Sequence, residues 1–134
     1  MVGNQGVALR QFTAEIRRFA DLPDAPYASQ LLDAVQRLEN LSDWVQDRSA
    51  TNRNEIGAAS VEYLHLFGYV AYAWLWARMA HVAGKNRSTD EVFYGAKIAT
   101  ADFYIHRLLP RILSLEQSIR AGSAPLYGLS AEQF

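Results

Sequence analysis

The chain has 134 residues, a formal net charge of −1 and 50% hydrophobic residues. This length predicts one domain, residues 1–134, with a single core. The balanced charge argues against electrostatic binding of a nucleic acid, so we expect no such partner. The chain has no cysteine, which excludes disulfides, thiol catalysis and thiolate metal sites. Residues 1–6 lack a basic segment followed by an apolar run, so we predict no secretory leader and a cytoplasmic protein.

The periodicity of apolar residues predicts an all-α protein, because no stretch alternates with period two between turn residues. We predict helices over residues 5–20, 25–48, 56–83 and 89–121. Short connections force neighbouring helices to run antiparallel. The predicted fold is therefore an up-down-up-down four-helix bundle with long third and fourth helices and an irregular C-terminal tail.

The first two predicted helices are amphipathic. The first has a narrow apolar stripe at helical spacing, formed by Leu9, Phe12, Ile16 and Phe19. The second has a heptad seam, formed by Tyr27, Leu31, Ala34, Leu38, Leu41 and Val45. The seam predicts lengthwise packing against neighbouring helices, and Asp24 is the predicted N-cap of the second helix.

The third predicted helix is apolar on every face between Tyr63 and Ala77, apart from His65. A membrane span needs about 20 apolar residues, and Glu62, His65 and Arg78 shorten this run. We therefore predict no membrane span and a central helix that is covered on several sides. Gly84 is the predicted C′ residue.

The fourth predicted helix begins with a capping box formed by Ser88 and Glu91. Pro110 lies inside the helical pattern, so we expect a kink near Arg107. Gly122 suits the C′ position at its end. In the tail, we expect four apolar residues to act as anchors: Leu126, Tyr127, Leu129 and Phe134.

Aromatic residues with polar tips form one stripe of the third helix, and a similar face follows on the fourth. Such residues are typical of protein interfaces, although an aromatic-rich core with satisfied hydroxyls is the alternative interpretation. Lys97 lies between apolar neighbours, where it either extends to the bundle surface or pairs with an acid of a partner. The predicted interdomain or oligomer interface consists of His65, Tyr69, Tyr72, Trp76, Tyr94, Lys97 and Tyr104.

Residue types that carry chemistry are sparse. Glu62 and His65 form a Glu-x-x-His motif, which is one half of a di-metal site. The fourth helix offers Asp102 and His106 instead, which are four residues apart. One half-motif is weak, and no nucleophile grouping or glycine-rich phosphate loop is present. The sequence therefore predicts no catalytic, cofactor-binding or metal-binding residue in this chain.

Residues 93–104 read Phe-Tyr-Gly-Ala-Lys-Ile-Ala-Thr-Ala-Asp-Phe-Tyr and are followed by Leu-Leu-Pro at 108–110. This pattern resembles the final helical module of long-form bacterial acyl-CoA dehydrogenases, the acetyl-CoA dehydrogenase C-terminal-like domain. Residues 63–68 and 76–80, and a short tail after Gly122, resemble the same module. The resemblance covers residues 56–134 well, whereas the first two helices agree in length and pattern only.

The resemblance implies that the chain is a fragment of a larger flavoenzyme. The full enzymes use FAD and a carboxylate base to oxidise the Cα–Cβ bond of acyl-CoA thioesters, with upstream domains that this chain lacks. The module packs on the dehydrogenase body and at its oligomer interface, so the upstream domains of the same polypeptide and a homo-oligomer are the implied partners. No catalytic residue of the family falls on this sequence, and the chain alone is expected to be inactive.

Two alternatives come from the bundle itself. One is a free-standing four-helix bundle that binds a metal pair or a small apolar ligand. The other is a generic dimerisation module that uses the heptad seam of the second helix, including Leu38.

Overall fold

The computed structural model describes the backbone of residues 2–134 and the side chains of residues 6–134. Its main helices are α1 (Val2–Ala20), α2 (Ala28–Ser49), α3 (Asn54–Asn86), α4 (Glu91–Phe103) and α5 (Arg111–Arg120). A π-helical segment, Tyr104–Leu108, joins α4 to α5. The described residues form no strand, and α4 and α5 together make the fourth helix of the bundle. The predicted all-α four-helix bundle is confirmed.

The core lies between α3 and the helices that pack on it, α2 and the α4–α5 unit. The heptad seam of α2 faces this core, since Leu31, Leu38 and Leu41 are completely buried. Ile16 of α1 is also buried, and it belongs to the same core cluster as Leu66 and Val70 of α3. The dimerisation module that uses Leu38 is therefore wrong, because the seam is already covered within one chain.

The α3 helix extends further than predicted at both ends. Gly84 does not end it, because the helix continues to Asn86. The Asn86 side chain donates back to the carbonyl of Val82 at 2.9 Å. The next residues turn back through Thr89, whose hydroxyl donates to the Asn86 carbonyl at 2.7 Å. The Asn86 carbonyl also accepts from the Thr89 backbone N–H at 3.0 Å, so the turn after α3 closes on Asn86, the last residue of the helix.

Two predicted N-terminal caps are wrong. Asp24 does not cap α2, which begins after Tyr27 in the left-handed region at φ 60°. Asp24 instead lies 3.0 Å from His81 Nε2 of α3, and this contact lowers the pKa of the carboxyl group. The cap of α4 is Asp90, whose carboxylate accepts from the Phe93 backbone N–H at 3.0 Å, and not Ser88.

Pro110 interrupts the fourth helix as predicted. The backbone N–H of Leu109 reaches back five residues to the Tyr104 carbonyl, at 2.9 Å. This wider turn precedes the proline, which has no N–H to donate. Gly122 follows α5 at φ 76°, which confirms it as the C′ residue.

The tail contains two short 3₁₀ turns, Ala124–Tyr127 and Ala131–Gln133. Its start is held by Glu55, a buried carboxylate near the beginning of α3. Glu55 accepts from the Ser123 backbone N–H at 3.2 Å and from its hydroxyl at 2.9 Å. The predicted anchors further along do not pack on this chain, because their side chains are exposed: Leu126, Tyr127, Leu129 and Phe134.

We expect Leu38→Asp to lower the free energy of unfolding by about 4 kcal/mol or more, because it places a charge in a fully apolar site. Circular dichroism should show lost helix at any protein concentration. Leu32→Asp, at a half-exposed position of the same helix, is the matched control and should keep the fold. A folded Leu38→Asp monomer would contradict the core assignment.

Glu55→Ala should lower the free energy of unfolding by about 2 kcal/mol, because the buried N–H and hydroxyl of Ser123 lose their acceptor. Chemical denaturation measures the loss. Glu55→Gln keeps one acceptor oxygen and should cost less. Equal losses in the two variants would show that the carboxylate bonds do not hold the tail.

Candidate interdomain surface

The fourth helix presents two faces, and the structure shows which one is covered. Ala101 and Tyr104 are buried, while Tyr94 and Lys97 are half-buried on the same side. The opposite face is apolar and open to solvent, with Val92 85% and Phe103 56% exposed. We call it the α4 stripe, and it consists of Val92, Ala96, Ala99 and Phe103.

The predicted interface residues of α3 divide between surface and core. His65 and Tyr72 are exposed, and Tyr72 is 60% accessible. Tyr69 and Trp76 are half-buried and pack against the core cluster. The Tyr69 hydroxyl also accepts from Arg111 Nη1 at 3.4 Å, so this tyrosine joins α3 to the start of α5.

Tyr104 is the predicted interface residue that lies deepest. It is 7% exposed, and its hydroxyl donates to the Tyr69 carbonyl at 2.7 Å. Burial, with a smaller contribution from Tyr69 and Tyr72, raises the pKa of Tyr104 well above the usual tyrosine range. The hydroxyl thus stays protonated as a donor inside the bundle, and we leave Tyr104 out of the surface.

Lys97 extends along the bundle surface, and its Nζ lies 5.3 Å from the centroid of the Phe93 ring. The rings of Phe93 and Tyr94 meet edge to face at 5.1 Å. A cation over an aromatic face is a favourable contact, so Lys97 is satisfied beside the α4 stripe without an acid from this chain. No pairing of its ammonium with an acid is present among the described side chains.

The α3 helix is covered on several sides by α2, α4 and α5, but one of its sides is open to solvent. Leu66, Val70, Ala73 and Ala77 face the core. On the opposite side lies a row of exposed apolar residues, among which Leu64 is 68% accessible. We call this row the α3 seam, and it consists of Val61, Leu64, Tyr72, Leu75, Met79 and Val82.

Both apolar surfaces can be recognised in the sequence from the spacing of their residues, but the sequence does not show whether each surface faces the core or the solvent. In α4, the residues of the stripe recur at steps of four, three and four, and those of the covered face recur at steps of three, four and three. In α3, every face is apolar over Tyr63–Trp76. Periodicity identifies a face, but only the neighbouring helices determine whether that face is covered.

A cleft of about 560 Å³ lies between α1, α2 and the first half of α3. Its walls are mainly apolar, with Leu9, Val45, Ile56 and Phe67 among them. The hydroxyls of Ser42 and Tyr63, 2.7 Å apart, satisfy each other at its side. The residues that line the cleft include no lysine or arginine, so it does not fit the pyrophosphate of a flavin dinucleotide.

The candidate metal residues do not form a site. His106 Nδ1 lies 3.3 Å from Asp102 Oδ1 on the same exposed helix surface. Within residues 2–134 as described, no three His, Asp or Glu side chains lie close enough to hold a metal ion. The two half-motifs of α3 and α4 are thus not brought together.

Gly68 lies in the middle of α3 on the open side of the helix, and an added Cβ would meet no atom within 4 Å. We expect Gly68→Ala to raise the free energy of unfolding by about 0.5–1 kcal/mol, because glycine is a poor helix former. Thermal denaturation measures the gain. Gly122→Ala is the control and should destabilise the fold, because its φ is 76°. A destabilised Gly68→Ala monomer would reveal a packing role within the chain.

No helix in residues 2–134 combines the length and apolar content that a membrane crossing requires.

The family described as acetyl-CoA dehydrogenase C-terminal like matches residues 12–130. The broad-specificity linear acyl-CoA dehydrogenase FadE5 of Mycobacterium tuberculosis is 27% identical over 139 aligned positions, which cover 89% of this chain and 22% of that protein. The chain thus spans about a fifth of the length of this relative. Because the family match includes the second half of α1 and all of α2 as well as the helices with the sequence pattern, the chain belongs to the acetyl-CoA dehydrogenase C-terminal-like family.

Proposed function

We propose that the chain is the accessory C-terminal bundle of an FAD-dependent acyl-CoA dehydrogenase. In this role it packs against the dehydrogenase body and takes part in oligomer assembly, without catalytic residues of its own. The observation that carries the proposal is the α4 stripe, an apolar surface that no described part of the chain covers. The relative is a dehydrogenase whose remaining length has no counterpart here, and a body of that kind would supply the cover.

The α4 stripe is suited to permanent burial. Val92 and Phe103 each lose contact with water when a partner covers them, which contributes about 1.5–3 kcal/mol for a fully buried side chain of this size. Phe93, which is exposed, follows the stripe residue Val92, and Lys97 Nζ lies over its ring from the other side of α4. An apolar centre with a polar rim is the usual composition of a protein interface.

Flavin and substrate would be held by the dehydrogenase body. FAD supplies the hydride acceptor for oxidation of the acyl-CoA Cα–Cβ bond when it is bound there. The uncharged cleft of this chain does not fit the flavin dinucleotide, so we derive no catalytic step from its residues. The role of this chain is to pack, to orient the adjoining domains and to exclude water between them, in the cytoplasm.

The cleft makes a small apolar ligand the second candidate function. Its volume of about 560 Å³ lies in the range of ligand pockets. A medium-chain fatty acid that raises the melting temperature of the purified chain, with loss of the effect in Ile56→Arg, would support this candidate. The metal-pair version has no support from the geometry.

The first test of the proposal is the coding DNA upstream of Met1. An open frame that encodes a dehydrogenase body makes the joined protein the one to assay, and a separate gene requires coexpression of that body with this chain. In either protein, Phe103→Arg should lower the melting temperature and the flavin occupancy, because it places a cation in the buried interface. Flavin absorbance and differential scanning fluorimetry measure both effects.

Leu113→Arg is the matched control, since Leu113 is a similarly exposed apolar residue on α5, away from the α4 stripe. The isolated chain should tolerate both substitutions equally well. Equal effects of the two substitutions in the assembled enzyme would contradict docking through the stripe. Flavin bound to the isolated chain, or dehydrogenase activity of that chain, would overturn the accessory role.

A further inference from the structure

In the part of the chain that the structure describes, no charged side chain lines the cleft between α1, α2 and the first half of α3. The other lining residues are apolar or glycine, and the polar ones are Ser42, Gln46, Ser49, Ser60 and Tyr63. A serine or tyrosine hydroxyl has one proton to donate, and its oxygen can also accept. Where these protons are directed therefore determines which ligand the cleft can satisfy.

The hydroxyls of Ser42 and Tyr63 have their protons directed one way. Ser42 Oγ lies 2.7 Å from the Leu38 carbonyl oxygen and 2.7 Å from Tyr63 Oη. A carbonyl oxygen only accepts, so Ser42 donates to Leu38 and Tyr63 donates to Ser42. Burial raises the pKa of Tyr63, although the bond with Ser42 opposes the shift, so the phenol keeps this proton at neutral pH. Tyr63 Oη is thus left as an acceptor at the side of the cleft.

The other two hydroxyls of the cleft also spend their protons within the chain. Ser49 donates to the Gln46 carbonyl at 2.7 Å, and Ser60 donates to the Gly57 carbonyl at 2.9 Å. All four hydroxyls therefore offer lone pairs to a ligand and no proton. The Gln46 side chain is exposed, so water can satisfy its amide without a ligand.

We propose that the cleft binds a neutral apolar molecule that carries one hydroxyl group, such as a straight-chain alcohol. The inference rests on the second candidate function, because it concerns the same cleft and names the class of ligand. The apolar walls bury the hydrocarbon body, and the ligand hydroxyl donates to Tyr63 Oη. The hydrogen bonds then run in one direction, from the ligand to Tyr63, to Ser42 and to the Leu38 carbonyl, an order in which each bond polarises the next.

Anionic ligands do not suit this cleft. A carboxylate only accepts hydrogen bonds, so it would meet the lone pairs of Tyr63, and no lysine or arginine is among the lining residues. Removing an ion from water without a partner is strongly unfavourable. A fatty acid has the required donor only while its carboxyl group is protonated.

The size of the cleft favours a small molecule over a segment of another protein. An α-helix with its side chains is about 10–12 Å across and fills roughly 500 Å³ for each turn of 5.4 Å. The cleft of about 560 Å³ holds about one such turn, which is too little to fix a helix. The same volume lies within the range of about 300–1,000 Å³ that is usual for ligand pockets.

We expect 1-octanol to bind the isolated chain at least about threefold more tightly than its isomer 1-methoxyheptane, an ether without a donor. Octanoate at pH 7 should bind at least about tenfold more weakly than the alcohol. Isothermal titration calorimetry measures the three dissociation constants. Ile56→Arg should abolish binding of the alcohol, whereas Val61→Arg, at an exposed position of α3 outside the cleft, is the matched control and should not.

Ser42→Ala tests the direction of the protons. Without Ser42, the Tyr63 hydroxyl loses its acceptor and can donate to the ligand. The alcohol and the ether should then bind with affinities within about twofold of each other, because both can accept. Ser49→Ala, in the same cleft, is the control and should keep the preference for the alcohol. Circular dichroism should show the same helical fold in both variants.

Equal binding of the alcohol and the ether by the unchanged chain, or tighter binding of octanoate, would overturn the inference and leave the cleft as a general apolar site. Alcohol binding that survives Ile56→Arg would also overturn it, and no binding of any probe would overturn the second candidate function as well. None of these results affects the accessory role, which Phe103→Arg tests in the flavin-loaded enzyme. If that substitution is silent there while the alcohol binds with the expected preference, the ligand site stands and the accessory role fails.

Discussion

The apolar circumference of α3 is the constraint on which the rest of the structure depends. A helix in a four-helix bundle has neighbours on roughly half of its surface, yet α3 is apolar on all sides between Tyr63 and Trp76. Three elements, α2, α4 and α5, pack on it together, and Phe67 and Trp74 meet Phe12 of α1. The α3 seam remains uncovered. Because α3 is apolar on every side and its neighbours cover only part of it, the four-helix bundle leaves an exposed apolar surface on this helix.

The interruption at Pro110 determines how the fourth helix covers α3. The π-helical segment directs Tyr104 inward, where its hydroxyl bonds the Tyr69 carbonyl. After the proline, the guanidinium group of Arg111 donates a hydrogen bond to the Tyr69 hydroxyl. In a straight helix of this length, the side that faces α3 would shift gradually along the helix. The wider turn corrects this shift at one place, so that α4 and α5 both pack on α3.

The sequence was sufficient for the fold because apolar spacing records which residues share a face. The seam of α2, with Leu31 and Leu38 completely buried, follows from heptad spacing alone, and Gly122 follows from its position after the last periodic residue. The caps were less predictable, because Asp24, Ser88 and Asp90 are all plausible by residue type. The structure distinguishes them by tertiary contacts, such as that of Asp24 with His81.

The candidate surface was predictable only in part, for a related reason. Polar-tipped aromatic residues are typical of interfaces, but a hydroxyl is satisfied equally well by a backbone carbonyl inside a bundle, as Tyr104 shows. His65 and Tyr72 are accessible, whereas Tyr69 and Trp76 serve the core. The face of α4 with no polar tip at all, Val92 to Phe103, is exposed instead, and no contact among the described residues requires it to be apolar.

The two uncovered surfaces lie on different helices and meet different physical demands. The α4 stripe is short, with the exposed ring of Phe93 beside it, which suits a fixed neighbour of complementary composition. The α3 seam is longer and its residues carry no charge, so any surface that covers it meets apolar side chains along its whole length.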